Sequence, residues 1–197
     1  MTFHRIFASV VFLIAVTANA ATAKASDISI FMGAALPGSV SYQDMKLPLD
    51  NSFVYGARYG YEFVPNFGME HTVALSNDFL YSGSTGDCTC DDSCSCPPLW
   101  EKAKGFMYSS NLTLGFQFDK RTIPFLTAGV GLVHQYGDRD LPVGTQFAFN
   151  YGGGLKFPNI AGPIGGRIDM RGYRAGVFSN KVNIFEISFG LMISLDR

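Results

Sequence analysis

Bulky apolar residues alternate with small or polar ones along most of this chain, and the clearest case is its last stretch. In 183–195, Phe185, Ile187, Phe189, Leu191, Ile193 and Leu195 take every second position, with Glu186, Ser188, Gly190, Met192 and Ser194 between them. That period belongs to a β-strand with one apolar and one mostly polar face. Ser52–Phe63 repeats it, with Phe53, Tyr55, Ala57, Tyr59, Tyr61 and Phe63 opposite Val54, Gly56, Arg58, Gly60 and Glu62. In 67–77 the apolar row includes Phe67, Met69, Val73 and Leu75 together with His71, and Glu70 lies on the other face. Gly105–Phe118 sets Phe106, Tyr108, Leu112, Leu114, Phe116 and Phe118 against Asn111, Thr113, Gly115 and Gln117.

Four more strands complete the pattern. They are expected at Asp27–Leu36, Ile123–Tyr136, between Thr145 and Pro158, and at Ile164–Arg174. The faces of the fifth, Ile123–Tyr136, cannot be assigned, because its centre is apolar and glycine-rich throughout. Three connections are short: Val64-Pro65-Asn66, Asp119–Thr122 and Pro158–Pro163. The other four are longer, including Pro37–Asn51 and a polar stretch of about Asp78–Lys104. Short turns alternating with longer loops, and an even strand count, fit an antiparallel up-and-down membrane barrel. Strands of this length also suit a tilted span of ~9–11 residues.

A soluble β-barrel or sandwich could share the alternation, so the two faces decide. On the apolar face aromatics gather at both strand ends, as expected for rings placed at two membrane interfaces. Phe53, Tyr55, Phe106, Tyr108, Phe147 and Phe149 lie towards the long loops; Tyr61, Phe63, Phe67, Phe116, Phe118 and Phe157 lie towards the short turns. The opposite face collects Arg58, Glu62, Glu70, Lys156, Arg167, Asp169, Arg171 and Glu186, four charges of each sign. Such charges are costly in a sandwich core unless paired. Inside a narrow barrel they can pair with one another. The fold class is therefore all-β, an eight-stranded transmembrane β-barrel.

Residues 1–25 stand apart. His4 and Arg5 precede the apolar run Ile6–Val16, and Ala18-Asn19-Ala20 and Ala23-Lys24-Ala25 both fit an A-x-A cleavage site. The run is shorter than the ~20 residues of a membrane-spanning helix, so it reads as a signal peptide, with cleavage favoured before Ser26. Residues 26–197 then form one barrel domain, with 13 basic residues against 16 acidic after Arg5 and Lys24 are removed. No basic block suits nucleic acid. No attached peptidoglycan-binding domain is expected.

Four cysteines, Cys88, Cys90, Cys94 and Cys96, lie together in the longest loop. In an exported chain an even set reads as disulfides, with the first pair joined to the second because closing a C-x-C on itself strains the bridge. A four-thiolate metal site is the alternative, but C-x-C is tighter than the usual zinc spacing. No metal or other cofactor is expected.

These features together resemble the small eight-stranded outer-membrane barrels typified by OmpA and OmpX, of the porin-family outer membrane protein β-barrel domain. The resemblance covers essentially all of residues 26–197. It identifies Ser188, Gly190, Ile193 and Leu195 with the terminal signal read by the barrel-assembly machinery, although here the chain ends Leu195-Asp196-Arg197 rather than on an aromatic residue. It implies the outer membrane of a Gram-negative type cell as location. The partners implied are outer-membrane lipid, the assembly machinery and an extracellular or surface partner of the loops.

Two readings of the lumen charges follow. They form a salt-bridged plug, since eight strands leave little free bore, or a gate in a narrow passive channel. Catalysis has little support. His71 is expected on the lipid face, bonded to a neighbour, and His134 lies near Asp138 and Asp140 with no third group fixed by spacing. The expectation is a non-enzymatic surface anchor for envelope integrity or adhesion, its loops presenting the cysteine cluster, Trp100, Tyr42 and Asp138–Leu141.

Overall fold

A computed structural model of the chain describes residues 25–42, 45–48, 51–77, 104–117, 121–136, 145–176 and 182–195. Its strands are β1 (Ala25–Pro37), β2 (Ser39–Tyr42), β3 (Met45–Pro48), β4 (Ser52–Val64), β5 (Phe67–Ser76), β6 (Lys104–Gly115), β7 (Ile123–Tyr136), β8 (Thr145–Ala161), β9 (Ile164–Ala175) and β10 (Val182–Ser194). Eight of them close a barrel in the order β1-β10-β9-β8-β7-β6-β5-β4. Every neighbouring pair is antiparallel, and β1 joins both β4 (Asp27↔Gly60) and β10 (Asp27↔Ser194), which leaves no free barrel edge.

The alternation sorts side chains as the sequence demands. On the outer surface Ile30, Met32, Phe53, Leu126, Tyr151, Phe189 and Leu191 are all more than half exposed. A surface so apolar over the whole wall requires a non-aqueous surround. β7, whose faces the sequence leaves open, turns Phe125, Thr127, Val133 and Gln135 inward and Leu126 and Val130 outward.

Three elements differ from expectation. The loop 37–51 contains the hairpin β2–β3, paired from Ser39↔Pro48 to Tyr42↔Met45, where the sequence shows only four-residue stretches ended by Pro48. Gly38 N–H bonds the Asn183 carbonyl at 2.7 Å and ties the hairpin's base to β10. β6 ends at Gly115 rather than Phe118, though Phe116 N–H still reaches the Pro124 carbonyl at 2.8 Å.

The third difference is that Pro158 does not end β8, which runs on to Ala161. The last β7 partner is Ile123↔Lys156, so beyond it this edge of β8 needs no ladder donor. On the other edge the register passes from Phe157↔Gly166 to Ala161↔Ile164, four steps on β8 against two on β9. That bulge places Asn159 at φ 57°.

The short turns use residues that tolerate the left-handed region. Asn66 has φ 68° and Gly162 φ 65°. A Cβ added at Gly162 would meet nothing within 4 Å, so conformation alone requires glycine there. Gly162→Ala is expected to cost about 1–2 kcal/mol, read as a lower urea midpoint for the barrel refolded in lipid.

Candidate functional site

Four strands, β4 and β5 on one side of β1 and β9 and β10 on the other, bring six charged side chains to the middle of the lumen. β4 supplies Arg58, β5 Glu70, β9 Arg167, Asp169 and Arg171, and β10 Glu186. Alternation turns each inward, and all are at most 2% exposed. The register fixes their height: Glu186 stands opposite Arg171, and Ser188 opposite Asp169.

Asp169 is the hub. It takes a bidentate fork from Arg167, with Nε to Oδ2 at 2.8 Å and Nη2 to Oδ1 at 2.8 Å. It also accepts from Arg171 Nη2 at 2.9 Å and from Arg58 Nη1 at 3.4 Å. Glu70 bridges two arginines, accepting from Arg167 Nη1 at 2.7 Å and from Arg171 Nη2 at 2.5 Å. Glu186 accepts from Arg58 Nη2 at 2.6 Å, from the Ser188 hydroxyl at 2.6 Å and from the Tyr173 hydroxyl at 2.8 Å. Thr72 and Ser29 accept from Arg171 and Arg167 at 3.3 and 3.4 Å. With its amide turned to suit its neighbours, Asn111 accepts from Arg171 at 3.1 Å.

Three guanidinium groups and three carboxylates sum to zero charge. Charge-assisted, partly bidentate bonds of this kind offset the desolvation that isolated buried charges would suffer. Aromatic faces add to the cover: the Arg58 guanidinium lies 3.5 Å from the Phe31 ring centroid, and that of Arg167 5.0 Å from Phe125. Glycines make the room, since a Cβ at Gly190 would sit 3.1 Å from Arg167 Cγ and one at Gly152 3.2 Å from Arg171 Cγ. The result is a septum across the lumen.

The two sides of the septum differ. Towards the long loops comes an apolar layer, built from Ala35, Val54, Ala74, Met107, Val133 and Ala148 with residues of β9 and β10, and beyond it the buried polar side chains of Ser52, Ser76, Gln135 and Gln146. Tyr173 marks the boundary between this layer and the septum, one edge in the apolar cluster and its hydroxyl on Glu186. Towards the short turns lies a cavity of about 170 Å³, lined in part by Asp27, Glu62, Asn66, Thr113, Lys156 and Ser194. Lys156 is therefore not a septum residue. It pairs with Asp27 at 2.7 Å, with both side chains less than a fifth exposed, and Glu62 lines the same cavity.

The remaining residues singled out in the sequence are scattered. Ser188 belongs to the septum through its bonds to Arg58 (3.0 Å) and Glu186, Gly190 packs under Arg167, and Ile193 and Leu195 face outward. His71 is on the outer face, its Nδ1 3.1 Å from the Tyr108 hydroxyl and its ring stacked beside Tyr61 and Tyr108. Cys88, Cys90, Cys94 and Cys96, with Trp100 and Asp138–Leu141, lie outside the described residues, as do residues 1–24. Tyr42 lies in β2. Sequence reasoning missed Asp27, Tyr173 and the serine and threonine acceptors. Only the strand register could have found them.

Comparison with known proteins agrees with this architecture. Solved structures of the same fold include Neisserial surface protein A (13% identity, TM-score 0.60, covering 85% of this chain and 96% of that one). The outer membrane protein AlkL (14%, 0.58, 91% and 94%) and OprG of Pseudomonas aeruginosa (13%, 0.55, 89% and 98%) are similar too. No curated protein matches the sequence significantly. The model of the outer membrane protein beta-barrel domain matches residues 8–192, and the chain belongs to that family.

Proposed function

We propose that this protein is a non-enzymatic barrel of the outer membrane whose lumen is closed, and that its work is done by the loops it holds at the cell surface. One observation carries the reading: the six-charge septum is neutral, buried and bonded throughout its carboxylates, so an ion crossing it would have to break several buried pairs. Family membership supports the outer-membrane location, and it supports placing the short turns on the periplasmic side. Envelope integrity or adhesion is the role that fits a closed anchor of this size. Assembly machinery and outer-membrane lipid are its expected partners, and the loop cysteines are expected to be paired as disulfides.

A passive channel is the competing reading, favoured only by the cavity on the short-turn side, which thins the barrier. Ion conductance of the refolded, oxidised protein in a planar bilayer separates the two. The wild type is expected to be silent, and Arg167→Ala to leak. Steady wild-type conductance that changes with Arg167→Ala would make the protein a narrow pore.

A further inference from the structure

Four polar side chains share the outward face of β6, β7 and β8 at the long-loop end. Lys104 stands opposite Tyr136, and His134 opposite Thr145. His134 Nδ1 lies 2.6 Å from Thr145 Oγ1, and its ring stacks on Tyr136 at 5.9 Å and 13°. Lys104, Tyr136 and Thr145 are exposed. Immediately below them come the outward aromatics Phe147 and Phe149 of β8.

Further down the same face β7 becomes the floor of a groove. Its outward residues shrink to Val130 and Ala128, while β6 and β8 carry Leu112, Leu114 and Tyr151 on either side. The groove continues into a shallow, open apolar recess of about 410 Å³ lined by Phe67, Leu112, Leu114, Leu126, Ala128 and Tyr151 among others. From His134 to Ala128 is six residues, ~20 Å along the strand and ~15 Å along the membrane normal at a ~40° tilt. That depth is one leaflet of a ~30 Å hydrocarbon core.

We infer that this strip is a binding site for a phosphorylated lipid of the outer leaflet. The phosphate sits on Lys104 and His134, polar headgroup atoms meet Thr145 and Tyr136, and one acyl chain lies along β7 into the recess at Ala128. Charge complementarity selects the anionic headgroup, and the apolar groove directly below it selects a lipid rather than a free anion. The inference rests on the membrane orientation proposed above but not on the closed lumen, so a conducting barrel would leave it intact.

Native mass spectrometry of the full refolded protein tests it, with diphosphorylated lipid A and the same lipid without phosphates as probes. The wild type is expected to retain one phosphorylated lipid about tenfold better than the dephosphorylated one. Lys104→Ala is expected to lower retention about fivefold, the effect of one interfacial cation at ~1 kcal/mol. Ala128→Trp, which fills the recess, is expected to abolish it, and Leu191→Trp elsewhere on the outer wall to leave it unchanged. Both surface variants are checked for folding by heat-modifiable gel mobility. Equal retention of the two lipids, indifference to Lys104→Ala, indifference to Ala128→Trp, or a lipid-free dimer through this face would each overturn the inference.

Discussion

Asp169→Ala is expected to destabilise the barrel by about 3–5 kcal/mol, the usual consequence of removing one member of a buried ionic network. Asp169 bonds all three septum arginines. Its loss leaves a net positive charge where every neighbouring ionic group is already engaged and no exposed surface can hydrate it. The isosteric Asp169→Asn separates charge from shape: it keeps the volume but weakens the arginine fork, and is expected to recover only part of the loss. Asp27→Ala is the internal comparison. It breaks a pair that borders a cavity and is partly exposed, and for such pairs the effect is about 0–1 kcal/mol. Urea unfolding in lipid vesicles reads both. A cost for Asp169→Ala no greater than that for Asp27→Ala would mean that the septum is wet.

Val130→Arg is expected to cost about 2–4 kcal/mol, because a cation at mid-height of a lipid-facing wall has no water to reach. Val130 lies midway along β7, opposite Ser110 and Phe149, and is 43% exposed on the outer surface. The same substitution at Tyr136, at the rim of that strand, is expected to cost only about 0–1 kcal/mol. This depth dependence is what distinguishes a membrane wall from a soluble barrel's surface. In a soluble barrel, arginine at an exposed apolar position would be neutral at either height, and equal small costs would reject the membrane reading.

The fold was legible because one physical requirement repeats in every strand: one face meets lipid and the other a packed lumen. β4 shows why this works, since Phe53 to Phe63 and Val54 to Glu62 separate cleanly without any knowledge of neighbours. β7 shows where it fails: Ala128, Gly129 and Gly131 are small on both faces, so composition carries no direction, and only pairing with β6 and β8 supplies it. Pro158 misled because its effect depends on whether the adjacent strand is still present, which is a fact about register.

The septum was half legible for the same reason. Parity turned Arg58, Glu70, Arg167, Asp169, Arg171 and Glu186 inward, but could not say which of the inward charges share a level. Lys156 and Glu62 therefore grouped with the others, whereas Lys156, although paired in register with Arg167, turns to Asp27, and all three line the cavity on the short-turn side. Asp27 itself carried no signal, being a single acid beside the expected cleavage site. The apolar layer of the lumen was hidden too, since alanines and valines on an inward face look the same whether they border water or one another.

A septum across the lumen makes the two halves of the barrel separately accessible, and that can be measured directly. Ser194 lines the cavity on the short-turn side, and Ala148 lies in the apolar cluster on the other. Cysteine is placed at each in turn, in protein whose four native cysteines are serine, and a small charged thiol reagent is added to one side of uniformly oriented vesicles. Ser194→Cys is predicted to react from the short-turn side alone, and Ala148→Cys not to react from that side at all. Labelling of Ala148→Cys from the short-turn side would show an open water path through the charges, and the closed-lumen account would be wrong.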